Sequence, residues 1–295
     1  HALAALAVAG TSARLVVSRR VDFPPRANRL TAWKYARADA VIAISNAVAA
    51  ALRNAGVHHE RVHIVPSGIE LPSEPRSRSR AAAAALGIPA DAPLAVMAAA
   101  LVPHKDPLTF VRAIAVARAR CPRIHALLVG DGGLRADVER EIDRLALCST
   151  IHLTGFVPDA GPLLDAADVV VLSSRQEGLG TVMLDGMLRG IPVAATRAGG
   201  IPELVQCGRQ GFTVPVGDAP ALGEAVARIL TEPGLAGEMG ESGRRRAAEF
   251  SIEHTVERTL AVYRRVLDTT RPPCRAKVIE PHSGSRSGRL DFPSE

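Results

Sequence analysis

The sequence predicts an α/β protein with a doubly wound domain that contains a parallel sheet, preceded by a shorter α/β segment. Short, continuously apolar segments alternate with segments of helix length along most of the 295-residue chain. Strands of that composition are typical of a parallel sheet covered by helices on both faces. The alternation breaks at residues 71–90, where proline, serine and arginine dominate before a short alanine-rich helix. That composition indicates an interdomain linker.

The overall composition excludes several classes of protein. Hydrophobic residues make up 47% of the chain and charged residues 22%, as in ordinary globular proteins. The four cysteines show neither CxxC nor metal-ligand spacing, so we predict a reduced, cytoplasmic protein without a metal site. Peripheral association with the inner face of the cytoplasmic membrane is left open. The pI is near 9.7, but no aromatic residues interleave with the "RSR" repeats to stack on bases, so no nucleic-acid partner is predicted.

The first 70 residues predict part of a domain. "HALAALAVAG" reads as the end of a helix that precedes the strand "RLVVSRR", and residues 40–45 and "RVHIVPSG" read as further strands. "NAVAAALRNAG" between them is typical of a helix closed by Gly56. This half is too short for a complete doubly wound domain, so we expect an incomplete N-terminal domain.

The second domain is predicted over residues 91–250. Its strands are expected at residues 94–100, 125–130, 151–155, 169–174, 192–196 and 211–215. Sheets of this kind bind ligands at the carboxyl ends of their strands, so the loops "LVPHKDP", "GDGG" and "SSRQEGLGT" are the expected site. Beyond it, residues 251–268 predict a long helix, and the polar residues 271–295 predict a disordered tail.

The common phosphate motifs do not account for these loops. "GDGG" would need a glycine in place of Arg135 to complete a dinucleotide fingerprint. Lys105 does not lie in a Walker sequence, and the chain contains no D-x-D triplet. The sequence therefore does not favour a bound NAD, and it lacks the usual cue for a metal-bridged diphosphate.

The stretch "RQEGLGTVMLDGMLRG" places two carboxylates around a glycine turn. Gly178 and Gly180 let the backbone approach a ligand, and a helix beginning near Thr181 would direct free N–H groups at an anion. Glu177 and Asp185 would each accept hydrogen bonds from hydroxyl groups. A molecule with hydroxyls at both ends and a diphosphate between them is a nucleotide sugar. The alternative is that both acids are solvated surface residues.

Most of the segment 14–265 resembles the large family 4 of retaining glycosyltransferases, which have the GT-B fold of two facing Rossmann-like domains. The resemblance rests on "EGLGTVMLDGMLRGIPVAATRAGGIPELV", similar to the E-x7-E region of that family, and on "ALVPHKDPLTFVRAI", "LLVGDGGLRADVE", "IHLTGFVPD" and "RADAVIAISNAV" in the same order. It implies an N-terminal domain that holds the acceptor, a C-terminal domain that holds the donor, and a return of helix 251–268 to the first.

The resemblance also implies roles for individual residues. Glu177 matches the glutamate that contacts the donor sugar, Asp185 the ribose ligand, and Lys105 the lysine that neutralises the leaving diphosphate. His1 resembles a histidine that lies close to the transferred sugar. The remaining donor contacts are implied for Gly130, Phe156, Val157, Gly178, Leu179, Gly180, Thr181 and Val182.

Two positions depart from the family pattern. Asp185 is one methylene shorter than the usual glutamate, and Ala100 stands where an arginine usually partners the lysine. The resemblance implies a metal-independent hexosyltransferase with no cofactor, using a UDP- or GDP-linked donor and a glycan or lipid-linked acceptor of cell-envelope polysaccharide synthesis. A noncatalytic nucleotide-sugar-binding module and a nucleotide-sugar epimerase of the same fold are the alternatives, followed by a basic nucleic-acid-binding protein.

Overall fold

A computed structural model describes residues 1–21, 23, 25, 28–72 and 78–268. The tail predicted at residues 271–295 lies outside the described residues. Within them the chain forms two parallel sheets, each flanked by helices. The predicted α/β class with parallel sheets is confirmed.

The first sheet contains three parallel strands, counted over the described residues, in the order β1-β2-β3. The elements in chain order are α1 (Ala2–Ala7), β1 (Val16–Arg19), α2 (Arg29–Ala36), β2 (Ala40–Ala43), α3 (Asn46–Asn54) and β3 (Val62–Ile64). The Ser45 side chain accepts a hydrogen bond from the Val48 N–H and so caps α3, while Gly56 follows the helix with φ of 85°.

The second sheet lies after the predicted linker. Its elements are α4 (Ala81–Ala84), β4 (Leu94–Ala98), α5 (Pro107–Arg120), β5 (His125–Val129), α6 (Arg135–Arg144), β6 (Ile151–Gly155), α7 (Gly161–Asp165), β7 (Val169–Leu172), α8 (Thr181–Leu188), β8 (Val193–Thr196), α9 (Ile201–Leu204), β9 (Gly211–Val214), α10 (Ala219–Thr231), α11 (Leu235–Ala248) and α12 (Ile252–Asp268). Over the described part of the chain, six parallel strands run in the order β6-β5-β4-β7-β8-β9.

Burial explains why these strands read as continuous apolar runs. On one face, Met97 of β4 packs with Phe110 of α5 and Val226 of α10 in a fully buried cluster. A second cluster extends across both domains, since Val48 of α3 shares it with Met183 of α8. The two sheets are therefore joined by apolar contact as well as by the chain.

Two segments connect the domains. Val262 and Val266 of α12 pack against Ala40 and Ile42 of the first sheet. The Ile69 N–H donates to the Phe250 carbonyl at 2.9 Å, where the chain enters this helix.

Part of the predicted linker packs on the second domain. Ala83 and Ile88 are buried in the core of the second sheet, so residues 78–90 pack on that domain. The reason is that the alanine-rich α4 has an apolar face that contacts α7.

Candidate functional site

The strand order of the second sheet predicts one crevice at which a ligand would bind. The chain leaves β4 in one direction to form β5 and β6, and β7, β8 and β9 lie on the other side of β4. Such a switch point opens a crevice at the carboxyl ends of the two central strands. The loop after β4 carries Lys105, and the loop after β7 carries Glu177. Two sequence-predicted residues thus meet at this crevice.

Lys105 and Glu177 form an ion pair across the switch point. The Lys105 ammonium donates to Oε2 of Glu177, and the two side chains are 22% and 12% exposed. The Ser174 hydroxyl donates to the same carboxylate oxygen at 3.3 Å. Ser173 ties the two loops together, since its hydroxyl lies 2.8 Å from the Asp106 carbonyl oxygen. The pair is therefore partly shielded and held by neighbouring hydroxyl groups.

The glycine turn after Glu177 brings backbone to the crevice. A Cβ on Gly178 would lie 2.4 Å from the Arg20 carbonyl oxygen, so only glycine permits this approach of the two domains. Gly180 has φ of 85° and precedes α8, whose N-terminus has no side-chain cap. The N–H groups of Thr181 and Val182 are among those that an α-helix leaves without intrahelical partners. The turn therefore presents free donors and a positive helix end.

The remaining members of the loop differ in burial. Leu179 is 2% exposed and its side chain lies in the apolar cluster shared by the domains, so it can offer a ligand only its backbone. Thr181 is exposed and Val182 half-buried.

Asp185 lies one turn into α8 and is half-buried. Its backbone carbonyl accepts a hydrogen bond from Nη1 of Arg189 at 2.8 Å. Arg189 is 4% exposed and forms a 2.6 Å ion pair with Asp165 of α7. This buried arginine links the backbone of α8 at Asp185 to α7.

The residues expected near the base lie in the loops after β5 and β6. The Gly130 N–H donates to the Gly155 carbonyl at 2.9 Å, which brings these loops together. A Cβ on Gly130 would meet the Ala99 carbonyl oxygen at 2.1 Å, so the β5 loop also presses against the β4 loop. Phe156 is 77% exposed and Val157 half-buried.

His1 lies in the first domain. Its ring meets that of Tyr35 edge-to-face at 4.7 Å, and its Nε2 is 2.9 Å from the Lys34 carbonyl oxygen. The Tyr35 hydroxyl in turn accepts from Arg19, at the carboxyl end of β1. His1 thus contacts Tyr35, which is hydrogen-bonded to the edge strand β1.

Three residues of the second domain that make contacts between loops or domains were not recognised from the sequence. Glu203 of α9 accepts hydrogen bonds from the backbone N–H groups of Asn46 and Ala47, at 2.8 and 3.0 Å, and so caps α3 from the other domain. Arg175 pairs with Asp106, and His104 contacts Phe23. The "GGIPELV" block contained the only signal for Glu203, and nothing in the sequence distinguished Arg175 or His104.

Two further observations concern metal ligands and membrane-spanning helices. Across the ranges that the structure describes, no group of three or more histidine, cysteine, aspartate or glutamate side chains is placed to hold a metal ion. Over the same residues, no helix is both long and apolar enough to cross a bilayer.

The fold agrees with that of solved structures that this chain resembles. Its structure superposes on that of HepE from Anabaena in complex with UDP with a TM-score of 0.81, at 24% identity, over 90% of this chain and 76% of HepE. Sucrose-phosphate synthase from Thermosynechococcus elongatus gives a TM-score of 0.67 at 28% identity, over 80% of this chain and 61% of that one. The chain therefore has the α/β fold, with parallel sheets, of GT-B glycosyltransferase structures.

Two family models match successive parts of the chain. Residues 92–232 match the model described as Glycosyl transferases group 1, and residues 1–72 match Glycosyltransferase Family 4. Neither match by itself covers half of the chain.

Among curated relatives, the D-inositol 3-phosphate glycosyltransferase of Saccharomonospora viridis is 34% identical over 220 residues, 70% of this chain and 51% of that protein. The lipopolysaccharide core biosynthesis glycosyltransferase LpsE of Rhizobium meliloti is 32% identical over 171 residues, 58% of this chain and 49% of LpsE. The chain spans about half the length of these relatives.

Proposed function

We propose that this chain is the donor-binding part of a retaining hexosyltransferase that uses a UDP- or GDP-linked sugar and a glycan or lipid-linked acceptor. The observation that carries the proposal is the juxtaposition of Lys105, Glu177 and the uncapped N-terminus of α8 at one switch point. A cation and free N–H groups suit a diphosphate, and a carboxylate beside them suits sugar hydroxyls.

In this proposal, different residues contact different parts of the donor. The diphosphate lies at Lys105 and the N–H groups of Thr181 and Val182. The sugar hydroxyls bond to Glu177, and the ribose hydroxyls bond to Asp185, one turn deeper along α8. Phe156 and Val157, beside Gly130, form the edge that the base meets.

Transfer in this scheme is a substitution at the anomeric carbon. The bond from that carbon to the diphosphate oxygen breaks while the acceptor oxygen bonds to the carbon on the same face, and the acceptor hydroxyl proton passes to the departing phosphate oxygen. Negative charge grows on the diphosphate as it leaves. Lys105 and the α8 N-terminus stabilise that charge without reorganising, which is electrostatic catalysis that needs no metal ion.

Several relatives support a nucleotide-sugar donor. HepE has been crystallised with UDP and with UDP-glucose, and the lipopolysaccharide and inositol phosphate enzymes named above are glycosyltransferases. A noncatalytic nucleotide-sugar-binding module is the second candidate, favoured by Ala100, which is exposed on the β4 loop where the family usually has an arginine.

Binding and turnover separate these candidates. Titration calorimetry of the chain with UDP, GDP and their glucose conjugates is expected to show binding of one nucleotide series. Incubation of the bound donor with acceptor extracts, followed by NMR of the product, is expected to show an anomeric configuration equal to that of the donor. Binding without transfer or donor hydrolysis would identify a binding module, and no binding of any of the four would contradict the proposal.

A further inference from the structure

A second cavity lies beside the donor crevice, between the two domains. Its volume is about 560 Å³, and Phe23 of the first domain and Pro103, His104, Arg175 and Gln176 of the second line it. It is formed by the same two loops that carry Lys105 and Glu177, one or two residues earlier in each. A ligand in this cavity would therefore lie next to the sugar of a bound donor.

The walls of the cavity suit a sugar ring. The rings of Phe23 and His104 meet edge-to-face at 5.3 Å and an angle of 88°, and Pro103 extends this apolar surface. The Gln176 amide offers both a donor and an acceptor for hydroxyl groups. Apolar ring faces beside one or two amide groups are a common arrangement in small-molecule sites.

Arg175 gives the cavity its charge. No acidic side chain lies among the described residues that line it, and the Arg175 side chain is 58% exposed. The Nε of Arg175 lies 2.8 Å from Oδ2 of Asp106, which fixes the plane of the guanidinium group. Pairing at Nε still leaves the four N–H groups of the two terminal nitrogens, which match the oxygens of a carboxylate or phosphate.

The carboxylate that holds Arg175 has a structural role of its own. Asp106 is 6% exposed and caps α5, accepting hydrogen bonds from the N–H and the hydroxyl of Thr109. Its negative charge is thus shared with the positive end of a 14-residue helix. The Arg175 backbone N–H also donates to the His104 carbonyl at 2.8 Å, which anchors both side chains on the same wall.

We propose that this cavity is the acceptor subsite and that it selects an anionic sugar, with the phosphate or carboxylate bound by Arg175. The proposal rests on the proposed function and adds the charge of the acceptor to it. A neutral sugar would offer the N–H groups of the two terminal nitrogens of Arg175 no anionic acceptor and would bind less well.

Calorimetry on the full chain in saturating UDP, or in GDP if GDP is the bound nucleotide, tests this, with glucose 6-phosphate, glucuronate and glucose as probes. We expect at least one anionic sugar to bind about tenfold or more tightly than glucose, as expected for a charge-assisted hydrogen bond. Phosphate and carboxylate are told apart by which of the two probes binds better. Arg175→Gln should remove the preference and Arg175→Lys should retain part of it, while both leave UDP affinity within about twofold, because Arg175 bonds the acceptor rather than the diphosphate.

The control is Arg140→Gln, an exposed arginine on α6, which should behave like wild type. Equal binding of the three sugars, or an anionic preference that survives in Arg175→Gln, would overturn the inference. A chain that binds anionic sugars through Arg175 but does not bind UDP or GDP would instead contradict the proposed function. The two failures are therefore distinguishable.

Discussion

The Lys105 ammonium and the Glu177 carboxylate are hydrogen-bonded across the carboxyl ends of β4 and β7. The pair links the residue expected at the diphosphate with the residue expected at the sugar. A diphosphate that binds Lys105 competes with Glu177 for the ammonium, and sugar hydroxyls then take over the carboxylate. Donor binding in this account exchanges one internal ion pair for two contacts with the ligand.

Replacement of Lys105 by alanine is expected to weaken UDP binding by about 1.5–3 kcal/mol, the range for a hydrogen bond to a charged group. The lower end is favoured because the wild type must separate Lys105 from Glu177 before it binds. Calorimetry measures the change, with Arg140→Ala on α6 as the matched loss of an exposed cation. Equal UDP affinity in wild type and Lys105→Ala would place the diphosphate elsewhere.

Glu203 is expected to stabilise the contact between the domains. Glu203→Ala removes three hydrogen bonds from the N-terminus of α3, two from backbone N–H groups and one from the Asn46 side chain, together with the negative charge that the helix end attracts. The free energy of unfolding should therefore fall by about 1–3 kcal/mol. Chemical denaturation measures this. Glu257→Ala, at an exposed position of α12, is the control and should change stability by less than about 0.5 kcal/mol. If the two variants unfold alike, the cap contributes nothing.

The histidine pair of β5 and β6 makes stability depend on pH. Nδ1 of His125 lies 3.0 Å from Nε2 of His152. Burial lowers the pKa of both imidazoles, and the charge of His125 lowers the pKa of His152 further. A lowered pKa favours the neutral form in the folded state, so this stability is complete above pH about 6.5, the unfolded value, and is lost as the pH falls through the folded values.

Unfolding free energies at pH 7.5 and pH 5 test the pair. His152→Gln should reduce the loss of stability between these pH values, because it removes one half-buried imidazole and the charge that it would place beside the other. His254→Gln, at an exposed position of α12, should keep the wild-type loss. A loss of the same size in both variants would show that the pair does not couple to pH.

Much of the architecture followed from apolar runs and turn residues. The strand predicted at 151–155 matches β6, and the helix closed by Gly56 matches α3, because burial on both faces and a glycine stop leave direct marks in the sequence. Helix α2 was not recognised from the sequence, since its polar and apolar residues do not separate onto two faces. The linker over residues 71–90 stays a prediction; within it, the arginines and serines obscured the buried side of α4.

Site residues could be predicted from the sequence only where they lie in one short segment or directly follow a strand. Glu177, Gly178 and Gly180 lie in one short turn, and Lys105 lies in the loop after a predicted strand. These positions could therefore be predicted from the sequence. The pairing of Arg175 with Asp106 depends on two loops that meet only in the folded sheet, and on the left-handed backbone of Asp106, whose φ is 47°. The cap of α3 by Glu203 joins positions 157 residues apart, which no local pattern records.

The most direct test of the account compares UDP and UDP-glucose, or the GDP pair if GDP is the bound nucleotide, on wild type, Glu177→Ala and Asp185→Ala. Glu177→Ala should bind the sugar conjugate about tenfold or more weakly, because a charged acceptor for sugar hydroxyls is lost. It should bind the free diphosphate as well as wild type or better, because Lys105 no longer has a competing carboxylate. Asp185→Ala should weaken both ligands alike. If both variants fold and bind both ligands like wild type, the two carboxylates are surface acids and the donor site lies elsewhere.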